Sequence, residues 1–276
     1  MSFDPKQYWE ARHNRTCALE GVGSEGRSQA WNDYFYKTKV RAFNKTLKKM
    51  GLNLTGCKVL DIGTGVGFWV DFLLQRGAAA IDGIDIAANA IEFCHKKYAV
   101  HQNVRFFKGD ISDDVFASEA FSEKYDLVTA FDVFYHITDE PKFRKAIKNV
   151  SSVLKPGGYF FLSDVFAKLT LSPHEHVVWR SLSDYEGDLE NCDLNRVSLT
   201  PVTFFLMPPV DASGFTRKIL KVLYYGITVR FTLKTKNTSL FAKRYLAILN
   251  FLDSLITSLH PVRGFTKLLV AQKKLL

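Results

Sequence analysis

The sequence predicts an α/β protein: a doubly wound, seven-stranded, mostly parallel sheet with helices on both faces, an N-terminal helical cap and an insertion between strands five and six. Three observations carry that expectation. Apolar strand-like runs alternate with helix-like runs between residues 56 and 166, as right-handed strand–helix–strand units require. The first strand ends in a glycine-rich turn, Asp61-Ile62-Gly63-Thr64-Gly65-Val66-Gly67, which opens directly into a helix. The next two strands end in acids, Asp85 and Asp110, so three carboxylates gather at the sheet edge where open α/β folds bind ligands.

The individual elements follow in order. Residues 6–20 and 28–50 read as two helices of a cap over 1–50, and residues 51–276 as the main domain. Buried parallel strands are expected at KVLDIG (58–63), AIDGIDI (80–86), VRFFKGD (104–110) and YDLVTAFDVF (125–134), and a fifth at GGYFFLSDVF (157–166). Between them lie the helix-like runs FWVDFLLQRG, ANAIEFCHKKYA and EPKFRKAIKNVSSVLK; the last begins at a proline and stops before Pro156-Gly157-Gly158, start and stop signals in the expected places. Residues 167–215 lose the pattern, carry Pro173, Pro201, Pro208 and Pro209, and read as an insertion on the substrate side. GFTRKILKVLYYG is the expected sixth strand, 239–259 a long helix and GFTKLLVAQKK the last strand.

Composition narrows the class. With 276 residues, 47% of them hydrophobic, the chain has ample material for a core. The four cysteines (Cys17, Cys57, Cys94, Cys192) are far apart, with no CxxC pair and no Cys/His spacing suited to zinc, so no metal is expected and a reducing cytoplasm fits. The first residues lack a signal-peptide core, and the greasiest run, Leu246–Leu259, is interrupted by polar residues; no transmembrane segment is expected. Net charge is +9, distributed as +5 over 1–50, −3 over 51–164, −4 over 165–215 and +11 over 216–276. The basic charge thus belongs to the two ends, where it suits an anionic small molecule, a membrane surface or nucleic acid.

The glycine-rich turn lets a ligand lie against bare backbone and aims the unpaired amides of a helix N-terminus at it. A nicotinamide dinucleotide site is the obvious rival, but its GxGxxG spacing needs glycine where this chain has Phe68. Asp85 closes the second strand about 20 residues on, positioned to accept both hydroxyl hydrogens of a ribose. Asp110 closes the third, where it can accept from an adenine amine.

Taken together, VLDIGTGVGFW, GIDIAANAIE, FFKGDISD, YDLVTAFDVFYHITD and LKPGGYFFLSD resemble the five successive motifs of class I, Rossmann-like S-adenosylmethionine-dependent methyltransferases of the small-molecule type. The resemblance covers roughly residues 56–166 in order and at ordinary spacing. It implies S-adenosylmethionine as cofactor and S-adenosylhomocysteine as product. It places Asp61, Gly63, Thr64, Gly65 and Gly67 along the methionine part, Asp85 and Ile86 at the ribose, Asp110 and Ile111 at the adenine, and Phe131 beside the methionine moiety.

Methyl transfer from a sulfonium is an in-line displacement, so the protein chiefly aligns the acceptor and excludes water; a hydroxyl acceptor also needs a base, for which histidine is suited. His136 and Tyr135, just after the fourth strand, are the catalytic candidates. Relatives that methylate hydroxyls carry a base histidine in this turn, and laying YHITDE on the HDWSDE pattern of plant O-methyltransferases puts Tyr135, not His136, at that position. His174 and His176 in the insertion share a face if their segment is extended, but no third metal ligand accompanies them. They are substrate-side candidates, together with the aromatic residues Tyr8, Trp9, Trp31 and Tyr34 of the leading helices, whose competing explanation is core packing.

Methyl transfer to the hydroxyl of a small or medium-sized natural product or lipid-like molecule is the leading expectation. An RNA or other nucleic-acid methyltransferase using the basic C-terminal segment is the alternative, although no RNA-binding module and no NPPY-like motif is visible. A non-catalytic cofactor-binding protein that joins a partner or a membrane face through the 239–259 helix and its basic neighbours is the third; there the stripe Leu246, Leu249, Leu252, Leu255, Ile256, Leu259 reads first as core. The acceptor and the oligomeric state are not legible.

Overall fold

A computed structural model describes residues 3–15, 23, 27–114, 116, 118–204, 218, 221–222, 224, 226, 240–259 and 266–275. Two helices lead, α1 (Pro5–Arg15) and α2 (Gln29–Met50). They are followed by β1 (Lys58–Ile62), α3 (Phe68–Gln75), β2 (Ala80–Asp85), α4 (Ala88–Lys97), β3 (Val104–Lys108) and β4 (Tyr125–Phe131). Next come α5 (Glu140–Val153) and β5 (Leu154–Asp164), then a hairpin of β6 (Leu171–His174) and β7 (Val177–Trp179), and α6 (Leu182–Glu190). The described chain ends with β8 (Leu194–Thr203), α7 (Leu240–Leu259) and β9 (Thr266–Lys273).

The seven-stranded sheet has the order β3-β2-β1-β4-β5-β9-β8. Strands β1 to β5 pair in parallel, and β9 runs antiparallel to both β5 and β8. Successive residues of a strand face opposite sides, and the core divides accordingly. Leu60, Ile62, Val128, Ala130, Phe160 and Leu162 join the layer under α5 and α6, whereas Val59, Leu127, Phe131 and Phe161 join the layer under α2 and α3. Burial on both faces explains why these strands read as continuous apolar runs.

The sixth strand is a correction. It is Leu194–Thr203, within the stretch expected to be irregular, so the insertion proper is the hairpin and α6. Of GFTRKILKVLYYG most residues lie outside the described set; Lys218, Lys221 and Val222 are helical, not extended. Strand β8 is a sheet edge, and Pro201, which argued against a strand, is tolerated there because an edge leaves one side of the ladder unpaired.

The expected leucine stripe of α7 also divides. Leu246 and Leu249 are buried against Trp31, Tyr34 and Phe35, but Leu252 and Leu255 are exposed. Among the described residues no helix is long and apolar enough to cross a membrane.

Candidate active site

A cavity of about 740 Å³ opens at the C-terminal ends of β1 to β4. Its floor is the glycine turn. Gly63, Gly65 and Gly67 have φ of 70°, 52° and 77°, a region that side chains disfavour. A Cβ at Gly63 would stand 2.3 Å from Val133 Cγ2, and one at Gly67 2.5 Å from the Tyr98 hydroxyl. The turn is held from behind by α4: the Cys94 thiol donates to the Gly65 carbonyl (3.2 Å), Lys97 Nζ to that of Val66 (3.1 Å) and the Tyr98 hydroxyl to that of Gly67 (2.7 Å). None of these braces was expected from the sequence.

Asp85 joins turn and second strand. Its Oδ2 accepts from Gly65 N and its Oδ1 from Ala87 N, both at 2.9 Å. Burial pushes its carboxyl above the usual range, while those amides and His13 pull it back. Asp110 Oδ1 accepts from the backbone and hydroxyl of Ser112 (2.8 and 2.7 Å). Gly63, Thr64, Gly65, Asp85, Ile86, Asp110, Ile111 and Phe131 all line the cavity, the last stacked on Trp69 at 3.6 Å between ring centroids.

Two expected cofactor residues lie off the walls. Asp61 is buried beneath the turn, where its Oδ1 accepts from the Thr129 hydroxyl (2.7 Å); burial raises its carboxyl to about 7. Gly67 caps α3 against Tyr98. Their part is to shape the turn, not to line the cavity.

The other wall is α1. Pro5, Trp9 and His13 line the cavity at four-residue spacing, one face of a helix. Asn89 Nδ2 ties this helix down through the Glu10 carbonyl (3.1 Å) and Asn14 Oδ1 (2.9 Å). Tyr8 stands just outside, stacked on His176 with centroids 5.1 Å apart. Trp31 and Tyr34 do not line the cavity: they pack against α7, so core packing is their role.

His136 lines the cavity, in a 3₁₀ turn over Phe134–His136. Its Nδ1 is 2.9 Å from the His176 carbonyl oxygen; a carbonyl can only accept, so Nδ1 carries the proton and the neutral ring keeps its lone pair on Nε2. Burial lowers the imidazole to about 4, partly offset by that hydrogen bond. Tyr135 is not a cavity residue. Burial, with Asp132 and Asp164, holds its phenol protonated well above the ordinary range. His174 is exposed on the hairpin and stacks with His176 at 5.5 Å; Glu175, between them, reaches the cavity wall. Among the described residues no cluster of three or more metal-ligating side chains occurs.

The residue that sequence reasoning missed is Asp132. It lines the cavity directly after β4, has φ of 61°, accepts from Ser163 Oγ (2.9 Å) and forms an ion pair with the buried Lys39 of α2. A non-glycine residue in that conformation beside a cavity is characteristic of functional sites. Its only sequence signal was an acid interrupting the apolar run FDVF.

Residues 59–158 match the methyltransferase domain family. Over those residues the chain is thus similar to a methyltransferase domain. The sequence is 32% identical over 112 residues to a ubiquinone biosynthesis O-methyltransferase from Leptothrix cholodnii, covering 41% of this chain and 46% of the relative. It is 38% identical over 139 residues to an mRNA cap guanine-N(7) methyltransferase from Candida glabrata, covering 45% and 33%. The chain thus spans less than half the length of either relative. The fold matches the crystal structure of magnesium protoporphyrin IX methyltransferase from Synechocystis PCC 6803 with bound SAM, with a TM-score of 0.57, 16% identity and 99% of both chains covered.

The Synechocystis structure holds SAM, and the residues present here fit such a ligand. The glycine-rich turn, the buried carboxylate at the end of β2 and the acid after β3 all face one cavity of adequate size.

Proposed function

We propose that the protein transfers a methyl group from S-adenosylmethionine to a hydroxyl of a small or medium-sized, largely apolar acceptor. His136 carries the reading: a cavity-lining imidazole whose Nδ1 proton is held by a backbone carbonyl, leaving Nε2 to take a proton. The bound cofactor supplies an electrophilic methyl on sulfur. Gly63, Gly65, Asp85, Ile86, Asp110 and Ile111 bind and orient it; Phe131 and Trp9 keep water from the reacting centre. His136 accepts the acceptor's hydroxyl proton as its oxygen attacks, which completes the charge balance of an in-line transfer. The ubiquinone O-methyltransferase relatives support oxygen as the nucleophile.

The cap methyltransferase likeness raises the nucleic-acid alternative. The walls disfavour it: Asp85, Asp110, Asp132, Asp139 and Glu175 surround the cavity against one lysine, Lys142, a poor setting for a polyphosphate. The acceptor-side surface is formed by α1 and the hairpin, with Tyr8 and His176 behind the wall. Free cysteines at 57, 94 and 192 support a reducing compartment. The test is calorimetry with S-adenosylmethionine and NAD, followed by a screen of catechols and hydroxybenzoates for transfer of labelled methyl. Binding of NAD alone, or transfer to amines in preference to every phenol, sinks the reading.

A further inference from the structure

Helix α7 buries polar side chains beside Leu246 and Leu249 on its inward side and exposes apolar ones on its outward side. Its inward side carries Asn250, Asp253 and Thr257: Arg41 donates to Asn250 Oδ1 (2.5 Å) and pairs with Asp253 (3.5 Å), and Asp253 Oδ1 also accepts from Phe204 N (2.6 Å). Its outward side carries Ile248, Phe251, Leu252 and Leu255, exposed at 59, 69, 39 and 47%. These four fall at i, i+3, i+4 and i+7, a single stripe; the other large hydrophobic side chains exposed in the described structure lie elsewhere in the sequence. Core packing therefore does not account for them, and a contiguous apolar patch of this kind marks an interaction surface.

Charge decides the occupant. Residues 216–276 contain twelve Lys and Arg and one acid, Asp253, and that acid is fully buried against Arg41 and Phe204. Arg244 continues the stripe at its N-terminal end and is exposed. A second copy of the chain would bring together two segments of net charge +11, which like-charge repulsion opposes. A nucleic acid would answer the charge but gain nothing from four aliphatic and phenyl side chains presented without a stacking platform. An anionic bilayer answers both features: it takes apolar side chains below its headgroups and attracts a segment of net positive charge.

We infer that the outer face of α7 docks the protein on an anionic membrane surface, with Ile248, Phe251, Leu252 and Leu255 entering the interface and the helix lying in its plane. This inference does not depend on the acceptor or on methyl transfer.

The test is co-sedimentation of the full chain with vesicles of phosphatidylcholine alone and of phosphatidylcholine with phosphatidylglycerol. Partitioning at least about tenfold stronger to the anionic vesicles, weakening as salt rises, is expected. The double variant Phe251→Glu/Leu255→Glu should lose about tenfold or more of it, with S-adenosylhomocysteine binding unchanged as the sign of an intact fold. Should that variant misfold, Phe251→Ser, at a position already in solvent, replaces it, while Val197→Glu on β8 controls for charge placed elsewhere. Failure of the parent chain to prefer anionic vesicles, equal loss in Val197→Glu, a dimer that dissociates in Phe251→Ser, or preferential capture by a single-stranded oligonucleotide would each overturn the inference.

Discussion

Asp85 makes two amide hydrogen bonds with its own backbone surroundings, so its removal loosens the turn as well as the ribose contact. Asp85→Ala should lower S-adenosylmethionine affinity by about 100-fold, since a bond to a charged group contributes about 1.5–3 kcal/mol and two functions are lost together; calorimetry measures it. At His136 the sign of the pH effect is fixed by burial. The folded imidazole titrates near 4, below its ordinary 6.5, so between those values the unfolded chain binds the proton and stability falls as pH drops. The same shift leaves the base unprotonated at neutral pH. The kcat/KM profile should therefore keep its plateau down to about pH 5, and His136→Ala should cost about 10²–10⁴-fold in rate with cofactor affinity preserved. Loss of cofactor affinity alone would make His136 a wall residue.

Asp164 works in the opposite sense. Burial raises its carboxyl to about 8, although the Tyr185 hydroxyl and Val165 N stabilise the charged form. Between its ordinary value of 3.8 and 8 the folded state holds a proton that the unfolded state has released, so stability declines as pH rises through that window. Asp164→Asn should flatten this slope in thermal melts from pH 5 to 9. An unchanged slope would mean that Asp164 ionises freely.

Among the elements, α1 behaves as a clasp. It is fastened through Asn89 to Glu10 and Asn14, and it places Trp9 and His13 over the cavity. Losing these bonds in Asn89→Ala should weaken cofactor binding about fivefold, the equivalent of about 1 kcal/mol, and speed amide exchange in Pro5–Arg15. Exchange that stays slow would locate the fastening elsewhere. The parallel strands were legible because they are buried on both faces and end in turns with distinctive chemistry. The edge strand β8 was not, because edge position permits the polar alternation and the proline that ordinarily speak against a strand. Which residue of Tyr135-His136 faces the cavity was equally hidden: a 3₁₀ turn rotates side chains by about 120° per residue, and only the placement of that turn, with Phe134 buried in the core, gives His136 the inward position.

At the scale of the whole molecule the legible and hidden parts coincide with local and tertiary causes. Residues 59–158, where the family match lies, have their roles written in short contiguous motifs. Lys39 meets Asp132, and Arg41 meets Asp253, across 93 and 212 positions, and no local pattern announces such pairs. Ligand linkage gives a global check: S-adenosylhomocysteine at 100 times its Kd should stabilise the chain by about 2.7 kcal/mol, visible as a raised Tm, and the same concentration should stabilise Asp85→Ala by only about 0.4 kcal/mol.

The pairing of Lys39 and Arg41 on α2 has a mechanical consequence. Two residues apart on a helix point in nearly opposite directions, so one flank of α2 is bolted to the cavity through Asp132 and the other to α7 through Asp253. A rod fixed on both flanks cannot turn to suit one neighbour without loading the other. Each pair thus limits how far α2 can rotate to suit the other.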